Sequence, residues 1–186
     1  MLSLRPAIFL DRDGVIIENR VDYVKSIAEI HFLPGVLAAL AQLAQRDWPI
    51  VIATNQAAIG RHIITRAAVD AINAYLVEHI TAAGGRVDGV YLCPHRPDEG
   101  CLCRKPAPGL LLQAAADLGL DLKASVMIGD AASDVRTALA VGAKPIFLLT
   151  GLAERQAQEL AQARQCNATI CASLTEAVAA LLEGGG

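Results

Sequence analysis

The chain has 186 residues, 54% hydrophobic and 19% charged, with a net charge of −3. That length fits one domain able to bury a core without disulfide support, and the balance excludes a disordered chain. Aromatic residues make up 4% and no Lys/Arg run forms a stripe, so neither a stacking platform for single-stranded nucleic acid nor an anionic-membrane surface is indicated.

No apolar stretch reaches the roughly 20 residues that span a bilayer. Met1-Leu2-Ser3 leads into a short apolar run ending in acids, so no signal peptide is expected and the cytoplasm is the expected compartment. Five cysteines, an odd number without a secretion signal, argue against a disulfide framework.

Ala7–Leu10 reads as a buried strand ending at Asp11. Pro34-Gly35 opens a helix whose Val36, Leu37, Leu40, Leu43 and Ala44 follow the 3.6-residue period. Ile50–Ala53 is a second strand, ending at Thr54. Thr65 is a candidate N-cap for a helix carrying Val69, Ile72, Leu76 and Ile80, and Gly84-Gly85 ends it. A third strand, Gly89–Leu92, runs into a Cys/His segment. Pro106 and Pro108 start the next helix, which Gly119 stops. Ser125–Ile128 is a fourth strand, followed by a helix capped by Ser133 or Asp134 and closed by Gly142. Pro145–Leu149 is a fifth strand and Ala168–Cys171 a sixth. Ser173 and Glu176 have capping-box spacing for a final helix through Leu182, and Gly184–Gly186 reads as a frayed tail.

This alternation implies an α/β fold with a doubly wound, mostly parallel sheet, forming one domain over 1–186. Such sheets bind ligands beyond the carboxyl ends of their strands. Asp11, Asp13, Thr54 and Asp130 all fall there. Two carboxylates two residues apart, with Gly14 permitting a turn, can both reach one phosphate. Phosphate-monoester hydrolysis is extremely slow in water, and a carboxylate can divide it into two displacements. Asp11 is the candidate nucleophile. Asp13 is the candidate acid for the leaving oxygen and base for the attacking water. Asp11 and Asp130 offer hard oxygen ligands suited to Mg²⁺. Lys105 offers a further positive charge and Thr54 a hydroxyl to the phosphoryl oxygens.

Cys93, His95, Cys101 and Cys103 gather three of the five cysteines beside one histidine. Three thiolates and an imidazole suit a closed, tetrahedral, structural Zn²⁺ site. The alternatives are reduced surface thiols beside a chance histidine, or a disulfide. With zinc bound, the loop would lock and deliver Arg104 and Lys105 to the phosphate. Arg104 can bind a second anion or hydroxyl of the substrate bidentately. Asn55 is a candidate contact to a substrate oxygen.

The set Asp11-x-Asp13-Gly14, Thr54, Lys105 and Gly129-Asp130-x-x-x-Asp134 resembles the haloacid dehalogenase (HAD) superfamily of phosphatases. Asp11–Ile16, Tyr23-Val24, Pro34-Gly35, Thr54-Asn55-Gln56 and Arg104-Lys105-Pro106 are similar to a narrower branch, which acts on heptose 1,7-bisphosphate or histidinol phosphate. The likeness runs over about 7–150 and implies an essentially capless HAD-like fold, since 17–32 is too short for a cap domain. It implies Mg²⁺ held by the carboxylates of Asp11 and Asp130 and the backbone carbonyl of Asp13, with Asp134 supporting that site from behind. It also implies a C-x-H…C-x-C zinc loop and a substrate role for Arg61. The chain departs from the branch at Ala58, where glycine is usual, and at Ala131, where a cation is frequent.

The leading expectation is a Mg²⁺-dependent monomeric phosphatase removing the 7-phosphate of a heptose bisphosphate. Histidinol-phosphate phosphatase is the nearest alternative. A DNA 3′-phosphatase is a third, disfavoured by the missing basic stripe. A non-catalytic zinc-stabilised binding module is a fourth. His31, His62, His79, Cys166 and Cys171 carry no assigned role.

Overall fold

A computed structural model describes residues 4–183; the expectations for Met1–Ser3 and for a tail at Gly184–Gly186 fall outside it. Six strands form one sheet: β1 (Ile8–Leu10), β2 (Ile50–Asn55), β3 (Gly89–Cys93), β4 (Val126–Gly129), β5 (Lys144–Leu148) and β6 (Thr169–Cys171). Their spatial order is β3-β2-β1-β4-β5-β6, and every neighbouring pair is parallel. The sheet is doubly wound, as the sequence alternation implies.

Among the described residues seven α-helices make the crossovers and the C-terminal cover: α1 (Val36–Leu43), α2 (Ala57–Gly60), α3 (Arg66–Ala82), α4 (Gly109–Leu118), α5 (Ala132–Ala140), α6 (Ala153–Gln165) and α7 (Leu174–Glu183). The two-residue alternation of strand side chains sorts the core into two layers. Ile8, Leu10, Ile50, Ile52, Val126 and Ile128 point to the face that packs with Leu40 and Leu43 of α1, Leu76 of α3 and Val178 of α7. Phe9, Val51 and Met127 point the other way, onto Leu111 of α4 and Ala138 of α5. Beyond them Phe147 packs with Val135 of α5 and Ala163 of α6. Central strands buried on both faces explain why they read as continuous apolar runs.

The structure revises several sequence boundaries. β2 continues to Asn55, so Thr54 and Asn55 are the end of the strand rather than the loop after it. α4 begins at Gly109; Pro106 lies before it, after a cis peptide with Lys105. α5 has Ala131 as its N-cap, and Asp134 caps by accepting from the Ala131 N–H at 3.1 Å. Ser133 is already inside the helix. Before α7, Glu176 takes the N–H of Ala172 rather than that of Ser173. α6 was not foreseen: its face is polar, and only a narrow stripe with Leu160 and Ala163 meets the core.

Residues 14–32 form a flap with one short 3₁₀ turn, Ile27–Glu29, and no inserted domain. Backbone hydrogen bonds tie it down, from Glu18 to His31 and from Leu33 to Ile16. Among the described residues no helix is long and apolar enough to cross a membrane.

Thr65 caps α3 as expected, accepting from the Ala68 N–H at 3.1 Å. Thr65→Ala removes this contact at a residue that does not line the acidic cavity and lowers unfolding free energy by about 1 kcal/mol. Chemical denaturation reads the loss, and catalytic activity stays unchanged.

Candidate active site

The strand order reverses direction at β1, whose chain goes to β2 on one side while β4 pairs on the other. A crevice opens at such a switch point, beyond the carboxyl ends of the strands. Register fixes what stands there: Leu10 pairs with Ile128, and the Asp11 N–H donates to the Ile128 carbonyl at 3.0 Å. Asp11 and Asp130 therefore leave adjacent strand ends together. Acidic oxygens of Asp11, Asp130 and Asp134 lie within 4.8 Å of one another.

Glycines make room for this cluster. Gly14 has φ +83°, and a Cβ there would lie 2.2 Å from Asp130 Oδ2. A Cβ on Gly151, which follows β5, would lie 2.7 Å from the same oxygen. The Asp130 carboxylate is wedged between two backbones that only glycine can supply. Asn19 of the flap donates to Asp130 Oδ2 at 3.2 Å.

One ammonium serves the cluster from below. Lys105 is buried, and its Nζ lies 3.0 Å from Asp11 Oδ1, 2.6 Å from Asp134 Oδ1 and 2.8 Å from the Ala53 carbonyl. Burial works against its charge, but Asp11 and Asp134 outweigh that and raise its pKa. The acids are strained the other way. Burial pushes Asp11 up to about 6, lowered in part by Lys105 and raised again by Asp134 and Asp13. Burial, then Asp11 and Asp134, raise Asp130 well above the ordinary 3.8. Three carboxylates with one close ammonium are short of positive charge. Buried hard oxygens in that state form a fit site for a divalent cation such as Mg²⁺.

A cavity of about 320 Å³ lies above the cluster. Asp11, Asp13, Asn55, Arg61, Arg104 and Asp130 all line it, so six of the residues singled out in the sequence meet at one place. Thr54 and Lys105 do not line it; both are buried beneath its floor. The Thr54 hydroxyl accepts from Gln56 Nε2 at 2.8 Å. Asn55 is engaged chiefly with the chain of Lys105: its Nδ2 donates to the Lys105 carbonyl and its Oδ1 accepts from the Lys105 N–H, both at 3.1 Å. Asp134 is buried, with one oxygen on Lys105 and the other on the Ala131 N–H, the arrangement of a supporting group.

The two departures are accommodated differently. Ala58 is buried in the core of the inner layer. Ala131 lines the cavity without a charge, and Arg20 and Arg155 line the same cavity. Arg155 comes from α6, which the sequence reading lacked.

Cys93, the last residue of β3, pairs in register with Asn55. Its Sγ lies 3.6 Å from Cys101 Sγ, and Cys103 Sγ lies 3.5 Å from Cys101 Sγ. His95 Nδ1 lies 3.5 Å from Cys93 Sγ and 3.3 Å from Cys103 Sγ. A tetrahedral Zn²⁺ with ordinary bond lengths sets S···S near about 3.8 Å and S···N near about 3.5 Å. All the cysteines are free, so the disulfide alternative is not realised. Burial pushes the Cys93 thiol up to about 12. Burial also raises Cys101, but hydrogen bonds from the Cys103 thiol and the Arg104 N–H outweigh it and bring it to about 7. Arg104 Nη1 donates to the His95 carbonyl at 3.2 Å, joining the cavity wall to the cluster.

Sequence reading missed three polar residues around Asp13. Arg12 is only the variable position between Asp11 and Asp13 of the motif, and Gln56 stands in Thr54-Asn55-Gln56 with no role of its own. Both are buried and both donate to the Asp13 carboxylate. Buried Asn73 on α3 accepts from Arg12 Nη1 at 3.1 Å. Little in their spacing marks them; the helix period of α3, which puts Asn73 on one face with buried Val69 and Leu76, is the one hint.

Paired acids at a switch point, a buried lysine and a cation-lined cavity define a hydrolase of phosphate monoesters. Residues 102–177 match the HAD-hydrolase-like family. The chain is 41% identical over 148 residues to the D-glycero-β-D-manno-heptose-1,7-bisphosphate 7-phosphatase of Pseudomonas putida, covering 80% of this chain and 85% of that one. The Pseudomonas aeruginosa enzyme of the same name is 40% identical, covering 79% and 83%. The crystal structure of D,D-heptose 1,7-bisphosphate phosphatase from B. bronchiseptica, complexed with magnesium and phosphate, superposes with a TM-score of 0.89 at 36% identity, covering 97% of this chain and 99% of that one. The chain belongs to the HAD-like phosphatases.

The raised carboxylates set a pH dependence. A carboxyl whose folded pKa exceeds its unfolded value costs no stability below the unfolded value, near 3.8 for Asp130, and an increasing amount as pH rises through the folded value. In a chelator, Asp130→Asn therefore melts above the unsubstituted chain by about 2–8 °C at pH 8, the size of one to two kcal/mol in a domain this long. Thermal melts across pH show this gap narrowing towards pH 5.

Proposed function

We propose that the chain, as a single soluble domain of the cytoplasm, removes the 7-phosphate from a heptose 1,7-bisphosphate through a phosphoaspartate at Asp11. The observation that carries this reading is the meeting of Asp11 and Asp130 over Lys105 at the switch point. The relatives at about 40% identity and the structural neighbour holding phosphate supply the substrate.

Asp11 attacks phosphorus in line with the ester oxygen. Its nucleophilicity depends on being ionised, and the Lys105 ammonium favours that form. As the P–O bond breaks, Asp13 passes its proton to the leaving sugar oxygen. The sugar departs, and Asp13, now a carboxylate, takes a proton from water as that water attacks the phosphoaspartate. Inorganic phosphate leaves, and Asp11 and the protonated Asp13 are restored. Asp11, Asp130 and the Asp13 carbonyl would hold Mg²⁺, supplying positive charge against the phosphoryl oxygens. Arg61 and Arg104 on the cavity wall would take the part of the substrate away from the reacting phosphate. Asp134 would hold Lys105 in place.

A structural Zn²⁺ at Cys93, His95, Cys101 and Cys103 fits the thiol and imidazole spacing. Its job would be to fix the loop that ends in Arg104 and Lys105.

Asp11→Asn stays folded and loses at least about 10³-fold in kcat, as expected for the removal of a nucleophile. A Mg²⁺-containing panel of small phosphate esters, with release of phosphate as readout, should give the highest kcat/KM with heptose 1,7-bisphosphate. Strong turnover of histidinol phosphate with none of the heptose would reverse the substrate assignment. Elemental analysis should find about one zinc per chain. Its removal by a strong chelator should raise KM and expose the Cys101 and Cys103 thiols to alkylation, with the sheet still folded.

A further inference from the structure

Arg12 is 1% exposed, one of the largest fully buried side chains in the protein. Its Nε donates to Asp13 Oδ2 at 3.1 Å and its Nη2 to Asp13 Oδ1 at 3.0 Å, a two-pronged grip on one carboxylate. Nη2 also donates to Gln56 Oε1 at 3.0 Å. Gln56 in turn donates from Nε2 to Asp13 Oδ2 at 2.9 Å and to Thr54 Oγ1 at 2.8 Å. At the far end Nη1 donates to Asn73 Oδ1, from the middle of α3.

Burying an arginine is costly, and a buried ion pair is often no more stable than apolar residues of the same volume. Stability alone gives little reason for a guanidinium here. Geometry gives one. Asp13 starts a turn whose backbone is closed by hydrogen bonds, but its side chain, without partners, could rotate about χ1 and χ2. Arg12 and Gln56 fix both oxygens at once, while the carboxylate still lines the cavity. Proton transfer needs the donor held within hydrogen-bond reach of the reacting oxygen. We propose that Asn73, Arg12 and Gln56 are positioning residues that aim Asp13, and that α3 sets the aim through Asn73. This rests on the reading of Asp13 as the acid and base of the reaction.

Leaving groups provide the test. An alkyl phosphate needs its leaving oxygen protonated; 4-nitrophenyl phosphate does not. Asn73→Leu, which keeps the volume and leaves Arg12 Nη1 without its partner, and Arg12→Lys, which keeps the charge but not the two-pronged geometry, are compared with Asp13→Asn. Folding is checked by thermal melts, and Asn73→Leu remains informative if Arg12→Lys fails to fold. In single turnovers both variants should lose about 10- to 100-fold in rate on the alkyl ester, part of the usual general-acid contribution. On 4-nitrophenyl phosphate the first displacement should change by less than about threefold, with nitrophenol released in a burst and phosphoenzyme accumulating. The substrate concentration for half-maximal single-turnover rate, which reports binding, should stay within about twofold for both. Equal losses on the two esters, or no loss on either while Asp13→Asn is impaired, would overturn the positioning role. If Asp13→Asn itself keeps the unsubstituted chain's dependence on leaving group, the acid–base reading fails, and the clamp with it.

Discussion

Repulsion among buried carboxylates is the constraint around which this end of the molecule is arranged. Asp11, Asp130 and Asp134 converge within a few ångströms, and the dry surroundings that sharpen an electrostatic field also make crowded like charges costly. Lys105 answers part of that cost by lying under Asp11 and Asp134 at once. Its third contact, to the Ala53 carbonyl, anchors the ammonium to the central sheet, so it cannot follow the substrate. The remaining negative charge is the reason the cavity is poised for a cation. Instability of the empty site and affinity of the site for metal are two consequences of the same arrangement.

The fold provides this arrangement through backbone geometry more than through side-chain packing. Parallel register puts Asp11 beside the end of β4. Gly14 and Gly151 both crowd the same oxygen of the Asp130 carboxylate, and each lacks the one carbon that would displace it. The flap adds Asn19, and ion pairs of Arg20 with Asp22 and of Lys25 with Asp22 hold the flap's own shape. These surface pairs are worth little in stability. Their value lies in keeping a short segment ordered over an otherwise open crevice.

Much of this was legible in the sequence, and the reasons are physical. Strands buried on both faces announce themselves as apolar runs, and the residues that end such runs must lie on one rim if the sheet is parallel. Asp11, Asp13 and Asp130 could be placed together on that basis. The four metal-binding candidates of the loop declared themselves by chemical type. What escaped was anything defined by reach. Arg12 and Gln56 look like loop residues until Asp13 is found between them. Thr54 was expected just past its strand, yet it lies within β2, because the strand runs two residues further than its apolar run. α6 escaped because it is polar overall, meeting the core through little more than Leu160 and Ala163, so few apolar residues mark its period.

The distance between the soft and the hard clusters is short along the chain and bridged across it. Cys103, Arg104 and Lys105 are consecutive, so any displacement of the Cys/His loop is passed within two peptide units to the ammonium beneath Asp11. Asn55 closes the circuit. It grips both the N–H and the carbonyl of Lys105, and its strand partner in register is Cys93, the first thiol of the loop. Arg104 adds a third tie through the His95 carbonyl. Ligand chemistry keeps the two clusters from exchanging ions: thiols and imidazole select zinc, whereas carboxylates select a hard cation. The ties from Asn55 to Lys105 and from Arg104 to the His95 carbonyl hold a loop with little core of its own, and keep the ammonium 3.0 Å from Asp11 Oδ1.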